Sequence, residues 1–247
     1  MNTREGRTPE KIALDESEKA YRELAVLAYS AAHDLRAPLR SIGRFSELLL
    51  KEHDSQLSDQ GKQYMRRIQA SGQTMLTLLE ALMKLVSLAR ADVRRIDVDL
   101  SAAAETVAAE LRRAEPDRKV DFAIQPGLRA VGDPDFLAEV LENLLGNAWK
   151  FSSRRPRARI EFGAADRGGE TAYFVRDDGA GFDPLYAGKL FMPFQRLHGA
   201  AEFPGIGAGL AIVRSIVRLH GGEVSAEGEV EKGATVTFTL GRLPAAA

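Results

Sequence analysis

Cysteine is absent from this chain of 247 residues. Disulfide bonds, thiol nucleophiles and cysteine metal sites are therefore excluded, and the composition is consistent with a reducing compartment. A strong charge of one sign is also lacking, because 34 Lys and Arg residues nearly balance 35 Asp and Glu residues, for a formal net charge of −1. Bulk electrostatics therefore gives no reason to expect a nucleic acid as a partner.

Long apolar runs are lacking as well. No apolar stretch reaches the length needed to span a bilayer, and the polar segment 1–10 has no apolar signal-peptide core. We therefore expect a cytoplasmic protein without a membrane span. The length is sufficient for two domains, each with its own core.

Two long segments with helical periodicity follow a polar N-terminus, residues 1–17, which we expect to be flexible. In the first segment, 18–53, apolar residues recur in steps of four and three. They are Leu24, Ala28, Ala31, Leu35, Pro38, Ile42, Phe45 and Leu49. A second segment, capped by Ser58 or Asp59, repeats this pattern from Met65 to Ala89. The short turn between them predicts an antiparallel helical hairpin, a domain over 18–92.

The apolar stripe on each of these helices is too wide for one partner helix to cover. Two hairpins that close into a four-helix bundle would cover both stripes, so we expect a homodimer. The alternative is a hairpin that packs on its own second domain.

A histidine and an acid lie next to each other in the first helix. With Ala28 and Leu35 at heptad position a, His33 falls at f, the position farthest from the partner helix. Asp34 follows directly, and Pro38 cannot donate to the carbonyl of Asp34, so we expect a bend after His33. This combination predicts a reactive side chain on the outside of the hairpin, although a surface histidine is usually only solvated.

The boundary to the second domain, 93–247, lies within a charged connector at 91–99. Strands are predicted at 98–100, 120–124, 159–165, 171–176, 223–228 and 234–240, and helices at 101–115, 134–151 and 208–220. Ser101 and Asp133 are the predicted caps of the first two of these helices. The pattern predicts a mixed sheet covered by about three helices, an α/β sandwich.

Polar residues on one helix of this domain suit a metal ion beside phosphates. Asn143, Asn147 and Lys150 share a face, and amide oxygens can ligate Mg²⁺ or its waters while an ammonium offsets phosphate charge. An ordinary amphipathic helix also has a polar face, but asparagine has poor helix propensity there.

Two glycine-containing segments follow. Asp177 ends a strand before Gly179 and Gly181, so an acid can accept from an exocyclic amine while a planar ring approaches the backbone. The glycines at 205, 207 and 209 precede a helix whose N-terminal amides can bind phosphate. Each segment is a weak indication alone, but their order behind the asparagine-bearing helix makes the set strong.

With these motifs the chain resembles the sensor histidine kinases, most closely their phytochrome-like branch. The resemblance covers about residues 21–240 and is carried by the segments His-Asp-Leu-Arg-Ala-Pro-Leu at 33–39 and Asn-Ala-Trp-Lys-Phe at 147–151. It implies a dimerisation and phosphoacceptor hairpin, followed by an ATP-binding domain of the GHKL type. It further implies ATP-dependent autophosphorylation of His33, with Asp34 as its acid–base partner, and phosphoryl transfer to an aspartate of a response regulator.

The resemblance also implies a set of site residues for ATP and Mg²⁺. Asn147 is the expected Mg²⁺ ligand. The implied ATP-binding residues are Asn143, Asn147, Lys150, Phe151, Asp177, Gly179, Gly181, Phe191, Phe194, Arg196, Gly205, Gly207, Gly209, Leu210 and Thr235. The remaining histidines, His53, His198 and His220, are predicted in a loop, a lid and a helix terminus.

Two other functions are compatible with parts of the pattern. A histidine phosphotransferase or adaptor would keep the hairpin but no longer use ATP, yet the asparagines and the lid glycines are intact here. Another ATPase of the same fold, such as gyrase, a mismatch-repair protein or a serine kinase, would lack the hairpin. The family usually carries an upstream sensor, so we expect either a fragment of a longer kinase or a separate sensor protein.

Ala37 generates a prediction about the direction of the reaction. Related enzymes with strong phosphatase activity often carry Thr or Asn four residues after the phosphoacceptor, where the side chain can position a water, and alanine offers no donor or acceptor. Decay of a phosphorylated regulator, measured without nucleotide, should therefore be slow with this protein. Ala37→Asn or Ala37→Thr should accelerate it. Rapid decay with the unmodified protein would refute this argument.

Overall fold

A computed structural model gives the fold of residues 9–89, 91–199 and 202–241; side chains are described from residue 28 onward, except at 29. The chain separates into two compact units, Met1–Ser87 and Leu88–Ala247.

The first helix, α1 (Pro9–Glu52), begins earlier than the periodicity predicts. Residues 9–17 are helical, although the apolar periodicity predicts a helix only from residue 18, and 1–8 lie outside the described residues. The reason is local, because Pro9 suits a first helical position and is followed by helix formers such as Glu10, Lys11 and Ala13. The helix continues through Pro38.

A short turn with a 3-10 helix, Asp54–Gln56, leads into α2 (Asp59–Leu88) and completes the predicted hairpin. Ser58 rather than Asp59 caps α2, because its Oγ accepts from the N–H of Gly61 at 3.1 Å. Lys62 donates back to Asp54 at 2.6 Å and holds the turn.

Small residues lie on the faces that the two helices turn towards each other. Ala32, Leu39 and Ser46 are buried, at one-heptad spacing along α1. On α2, Gly72 is buried with Leu39, whose carbonyl oxygen would lie 4.0 Å from a Cβ at Gly72. A glycine and an alanine at the contact allow the two backbones to approach closely.

The larger apolar residues of the predicted stripe point outward from the hairpin, so the partner helix of the same chain leaves them uncovered. Phe45 is 64% exposed, and the other exposed members of this outer stripe are Leu35, Ile42, Leu49, Tyr64, Ile68 and Met75. The heptad pattern identifies apolar positions but not which of two adjacent seams they form, and here the smaller residues occupy the inner one.

The second unit contains a mixed five-stranded sheet. Its strands are β2 (Val120–Ile124), β4 (Ala158–Arg167), β5 (Glu170–Asp177), β6 (Val224–Glu229) and β7 (Gly233–Thr239), in the order β2-β4-β5-β7-β6. Only the β2–β4 pair is parallel. A separate antiparallel ribbon pairs β1 (Ile96–Asp99) with β3 (Arg129–Gly132), and sequence patterning missed β3 because it has only four residues.

Three helices cover the sheet, as predicted: α3 (Leu100–Ala114), α4 (Pro134–Phe151) and α5 (Gly209–Leu219). The central one, α4, contacts both other helices and β5. Its buried face consists of Leu137, Val140, Leu141, Leu144, Leu145, Ala148 and Trp149. This face packs into a core that includes Ile160, Phe162 and Val175 of the sheet, so one helix carries most of the hydrophobic contact.

Caps confirm one predicted helix start and correct another. Asp133 accepts from the N–H groups of Asp135 and Phe136 at the start of α4, as predicted. Asp99 rather than Ser101 caps α3, since its carboxylate accepts from Ala102 at 2.9 Å. Ser101 instead joins loops, because its Oγ donates to a carbonyl at 125 and accepts from an amide at 128.

None of the helices in the described part of the chain combines the length and the hydropathy that crossing a bilayer requires.

Candidate functional site

His33 lies exposed on the outer surface of α1, together with its neighbour Asp34. The two side chains are 66% and 76% exposed, and His33 Nδ1 lies 3.3 Å from Asp34 Oδ1. With its proton on Nδ1, the imidazole donates to the carboxylate and keeps the lone pair of Nε2 directed elsewhere. The pair therefore presents a neutral ring nitrogen that a reactant can approach.

A cavity of about 290 Å³ opens in the second unit among α4, α5, β5 to β7 and the loop that precedes α5. The sequence-predicted residues that line it are Asn143, Asn147, Lys150, Phe151, Asp177, Gly181, Arg196, Gly205, Gly207, Gly209 and Leu210. Residues far apart in the chain thus meet at one cavity, which suits a small molecule.

The polar face of α4 supplies amides and an ammonium to this cavity. Lys150 Nζ donates to Asn147 Oδ1 at 3.1 Å and lies 4.3 Å from the centre of the Phe151 ring. Asn143 donates through its amide nitrogen to the Glu139 carbonyl at 2.8 Å, which leaves its side-chain oxygen for the cavity side. The two asparagines thus present oxygens beside a cation.

The charge of Lys150 lacks an acidic partner. Burial, and then the nearby charge of Arg196, lower the pKa of its ammonium. No carboxylate forms an ion pair with Lys150 in the part of the chain that the structure describes. Two cations at one cavity repel each other and favour an anion between them, as a phosphate would be.

Asp177 is the acid of the cavity, and it lies half-buried at the end of β5. Burial, with a smaller contribution from the charge of Asp178, raises the pKa of Asp177 to about 6. The N–H of Gly179 opposes this rise, because it donates to Asp177 Oδ1 at 2.9 Å and so stabilises the carboxylate. A buried carboxylate that accepts only backbone donors retains acceptor capacity. It can therefore accept from an amine on a planar base.

Close backbone packing explains the glycine beside this acid. Gly181 has a φ of 62°, and a Cβ there would lie 1.9 Å from the carbonyl oxygen of Glu229. No other residue fits without moving the β6–β7 turn.

The loop before α5 brings backbone groups to the opposite part of the lining. A Cβ at Gly209, the first residue of α5, would lie 2.5 Å from Asn143 Oδ1, so a larger residue there would displace the Asn143 side chain. The N–H groups at the start of α5 carry the positive end of the helix dipole. This end faces the same cavity as Lys150, which again suits a phosphate.

Four predicted ATP-binding residues do not line the cavity and act around it. Gly179 donates its N–H to the Asp177 carboxylate, and Phe191 is buried. Phe194 has a φ of 62° and donates its N–H to the Gly207 carbonyl at 2.9 Å. Thr235 lies between two lining residues of β7. Because side chains alternate along a strand, its side chain points away from the cavity, and its hydroxyl accepts from Arg176 at 3.2 Å.

Apolar lining residues escaped the sequence-based prediction. Val175, Phe182, Ala226 and Val236 come mainly from the sheet, where alternation alone does not distinguish a cavity wall from the core. His198, for which the sequence predicts a place in a lid, lines the cavity, with its ring 5.1 Å from that of Phe203. An aromatic residue before Pro204-Gly205 is the one feature that could have pointed to Phe203.

This lining fits a nucleotide with a magnesium ion. An apolar wall and a buried carboxylate suit a base, while Lys150, Arg196 and the start of α5 suit phosphates. In the described residues no three His, Asp or Glu side chains form a metal cluster. Asn147 offers a single hard oxygen donor, which is compatible with Mg²⁺ because that ion usually keeps waters and phosphate oxygens in its shell.

Two protein families match this chain. Residues 23–90 match the His Kinase A (phospho-acceptor) domain. Residues 132–244 match the histidine kinase-, DNA gyrase B- and HSP90-like ATPases. The first match contains His33 and the second contains every lining residue of the cavity.

Individual relatives are similar over most of this chain. Cyanobacterial phytochrome A of Nostoc sp. is 29% identical over 226 residues, which are 90% of this chain and 29% of the relative. The methanogenesis regulatory histidine kinase FilI of Methanothrix harundinacea is 33% identical over 239 residues, 95% of this chain and 26% of the relative. The chain thus spans less than a third of the length of these curated relatives.

A solved structure is similar in fold. The crystal structure of full-length ShkA in complex with AMPPNP has a TM-score of 0.63 at 25% identity, and the match covers 87% of this chain and 45% of that one. The helical hairpin followed by an α/β ATPase domain is therefore a histidine kinase arrangement, with a catalytic domain of the GHKL type.

Asp177→Asn should stabilise the nucleotide-free protein while it weakens nucleotide binding. Because the pKa of Asp177 rises from 3.8 to about 6 on folding, the stability it contributes is complete below 3.8 and is lost as pH rises through about 6. Asparagine does not titrate, so its advantage should grow across this window to at most about 3 kcal/mol and then stay constant.

Thermal or urea unfolding of both proteins at pH 5 and pH 7.5 measures this difference. An advantage of Asp177→Asn that is larger at pH 5 than at pH 7.5 would contradict the burial argument.

Proposed function

This chain belongs to the sensor histidine kinases and contains their paired phosphoacceptor and ATP-binding domains. We propose that it transfers the γ-phosphoryl group of ATP to His33. The observation that carries the proposal is the combination of an exposed His33–Asp34 pair with a cavity suited to a nucleotide. Transfer onward to an aspartate of a response regulator is the second part of the proposal.

The hairpin supplies the nucleophile. Nε2 of His33 attacks the γ-phosphorus in line, a P–N bond forms and the bond to the leaving oxygen of ADP breaks. Positive charge develops on the imidazole during this attack. The Asp34 carboxylate, 3.3 Å from Nδ1, stabilises that charge or accepts the Nδ1 proton. Exposure of both side chains leaves room for the nucleotide and later for the regulator.

The cavity supplies binding and charge neutralisation. Asp177 accepts from the exocyclic amine of adenine, while Lys150, Arg196 and the start of α5 bind phosphate oxygens. Positioning and electrostatics provide most of the catalysis in such transfers. The neighbour ShkA, whose crystal contained AMPPNP, supports this use of the cavity.

Magnesium is the cofactor that this proposal includes. Asn147 would hold it through Oδ1, with Asn143 close by, and the ion supplies charge neutralisation at the phosphates. Lys150 now donates to the same Oδ1 and is free to turn to phosphate when the ion binds.

The alternative, an adaptor that no longer uses ATP, is disfavoured by the cavity. A chain released from nucleotide binding has no reason to keep a half-buried acid and a lysine without an ion pair to any described carboxylate, because both oppose folding.

A homodimer is the further part of this proposal. The outer stripe of the hairpin, with Phe45 at its most exposed position, offers an apolar surface on both helices. A second hairpin would cover it in a four-helix bundle. The response regulator would then dock near His33, which faces away from this stripe.

His33→Ala should abolish the incorporation of label from [γ-³²P]ATP and leave nucleotide binding unchanged, since His33 lies outside the cavity. Autoradiography after alkaline treatment measures the label, because phosphohistidine withstands alkali but not acid. His53→Ala is the control, as it removes an exposed histidine from the same unit. Persistent label in His33→Ala, or its loss in His53→Ala, would disprove the assignment.

Phe45→Asp should convert the dimer to a monomer, because a carboxylate in each of two apolar seams weakens association by at least about a hundredfold. Sedimentation equilibrium measures the mass. Arg40→Asp, at heptad position f of the same helix, is the control and should remain dimeric. A monomeric unmodified protein would exclude the four-helix bundle.

A further inference from the structure

Four arginines lie in the segment 154–159 that follows α4, at positions 154, 155, 157 and 159. Arg157 pairs with Asp121 at the surface, at 2.8 Å. Arg154 lies over the Phe203 ring, 4.8 Å from its centre. Arg155 differs from both of these, because its hydrogen bonds go to backbone carbonyl groups. None of the motifs that indicate a nucleotide site includes it.

The guanidinium of Arg155 connects two segments beside the cavity. Its Nε donates to the carbonyl oxygen of Asp178 at 2.7 Å and its Nη2 to that of Gly179 at 3.3 Å. Nη2 also donates to the carbonyl of Glu231, in the turn between β6 and β7. The fixed fork of an arginine suits such divergent acceptors, which the single ammonium of lysine cannot all reach.

One peptide unit joins Arg155 to the acid of the cavity. The carbonyl of the unit between Asp178 and Gly179 accepts from Arg155, and the N–H of the same unit donates to Asp177 Oδ1 at 2.9 Å. Because a peptide unit is planar and trans, its C=O and N–H point in opposite directions. A donor that holds the oxygen therefore aims the N–H at the carboxylate.

The loop that carries this peptide has further anchors, and the Asp178 side chain is one of them, because its Oδ1 accepts from the N–H of Arg159 at 3.0 Å. Ala180 donates to the Phe151 carbonyl at 3.0 Å and accepts from Glu231 at 2.7 Å, so the loop is tied to α4 and to the turn on its far side. Among the described residues, Arg155 is the donor to the carbonyl oxygen of the peptide between Asp178 and Gly179.

We propose that Arg155 is a positioning residue for base recognition: by holding the peptide between Asp178 and Gly179 it orients the Asp177 carboxylate towards the exocyclic amine of adenine. This inference rests on the proposed function, in which Asp177 recognises the base. Arg155 thereby contributes to the choice between nucleotides without touching them.

Calorimetric titration of the full chain with Mg²⁺–ADP and with Mg²⁺–IDP tests this role. The hypoxanthine of IDP carries an oxygen where adenine carries the amine, so Asp177 should favour ADP. Arg155→Ala should weaken ADP binding by about tenfold and change IDP binding little. The charge-assisted hydrogen bonds of Arg155 orient the Asp177 carboxylate, which accepts from the amine of adenine and has no such amine to bind in IDP. Arg155→Lys should fall between, because lysine can still reach the Asp178 carbonyl.

Arg157→Ala is the matched control, since it removes an arginine of the same segment that pairs away from the cavity. It should keep the ADP preference of the unmodified protein. If Arg155→Ala does not fold, Arg155→Lys carries the test.

Two results would overturn the proposal, and they differ. Equal weakening of ADP and IDP by the Arg155 variants would mean that Arg155 only supports the cavity wall, with the proposed function intact. An unmodified protein that binds ADP and IDP alike would mean that Asp177 does not recognise the base, so the proposed function itself would fail at that residue.

Discussion

Burial of one face of α4 is the constraint on which the ATP-binding unit depends. The helix contacts both other helices and the sheet through its apolar face, and the adjoining polar face with Asn143, Asn147 and Lys150 reaches the cavity. Its start is held by Asp133, which caps the helix, accepts from Arg94 and donates its own N–H to His220 Nε2 at 3.0 Å. His220 in turn binds the Ile216 carbonyl through Nδ1, so the beginning of α4 is tied to the end of α5. Burial lowers the pKa of His220, which keeps the ring neutral and able to accept.

Because core packing fixes α4 and α5 relative to each other, the cavity can hold groups that oppose folding. Burial disfavours the charged forms of both Asp177 and Lys150, and the described residues offer neither one an oppositely charged side chain. A nucleotide would satisfy both, with an amine for the acid and phosphates for the lysine. The packed core around α4 thus supplies the free energy of folding that lets Asp177 and Lys150 remain without oppositely charged partners among the described residues of the site.

The order of motifs along the chain was sufficient to predict the hairpin, the mixed sheet with its helices and most of the polar lining. The strand alternation that predicts β5 and β7 does not tell whether Val175 or Val236 faces a cavity or the core. Likewise, heptad spacing selects Phe45 and Ile42 as apolar but not as members of the outer stripe. The role of Arg155 depends on where carbonyl groups point after folding, which residue spacing does not encode.

The central claim is that the exposed His33–Asp34 pair receives phosphate from ATP at one defined nitrogen. Phosphorus–nitrogen correlation by NMR on the ¹⁵N-histidine-labelled, autophosphorylated protein identifies that atom. Because Asp34 lies beside Nδ1, the account predicts phosphorus bonded to Nε2 of His33. Phosphorus on Nδ1, or on any other histidine, would contradict it.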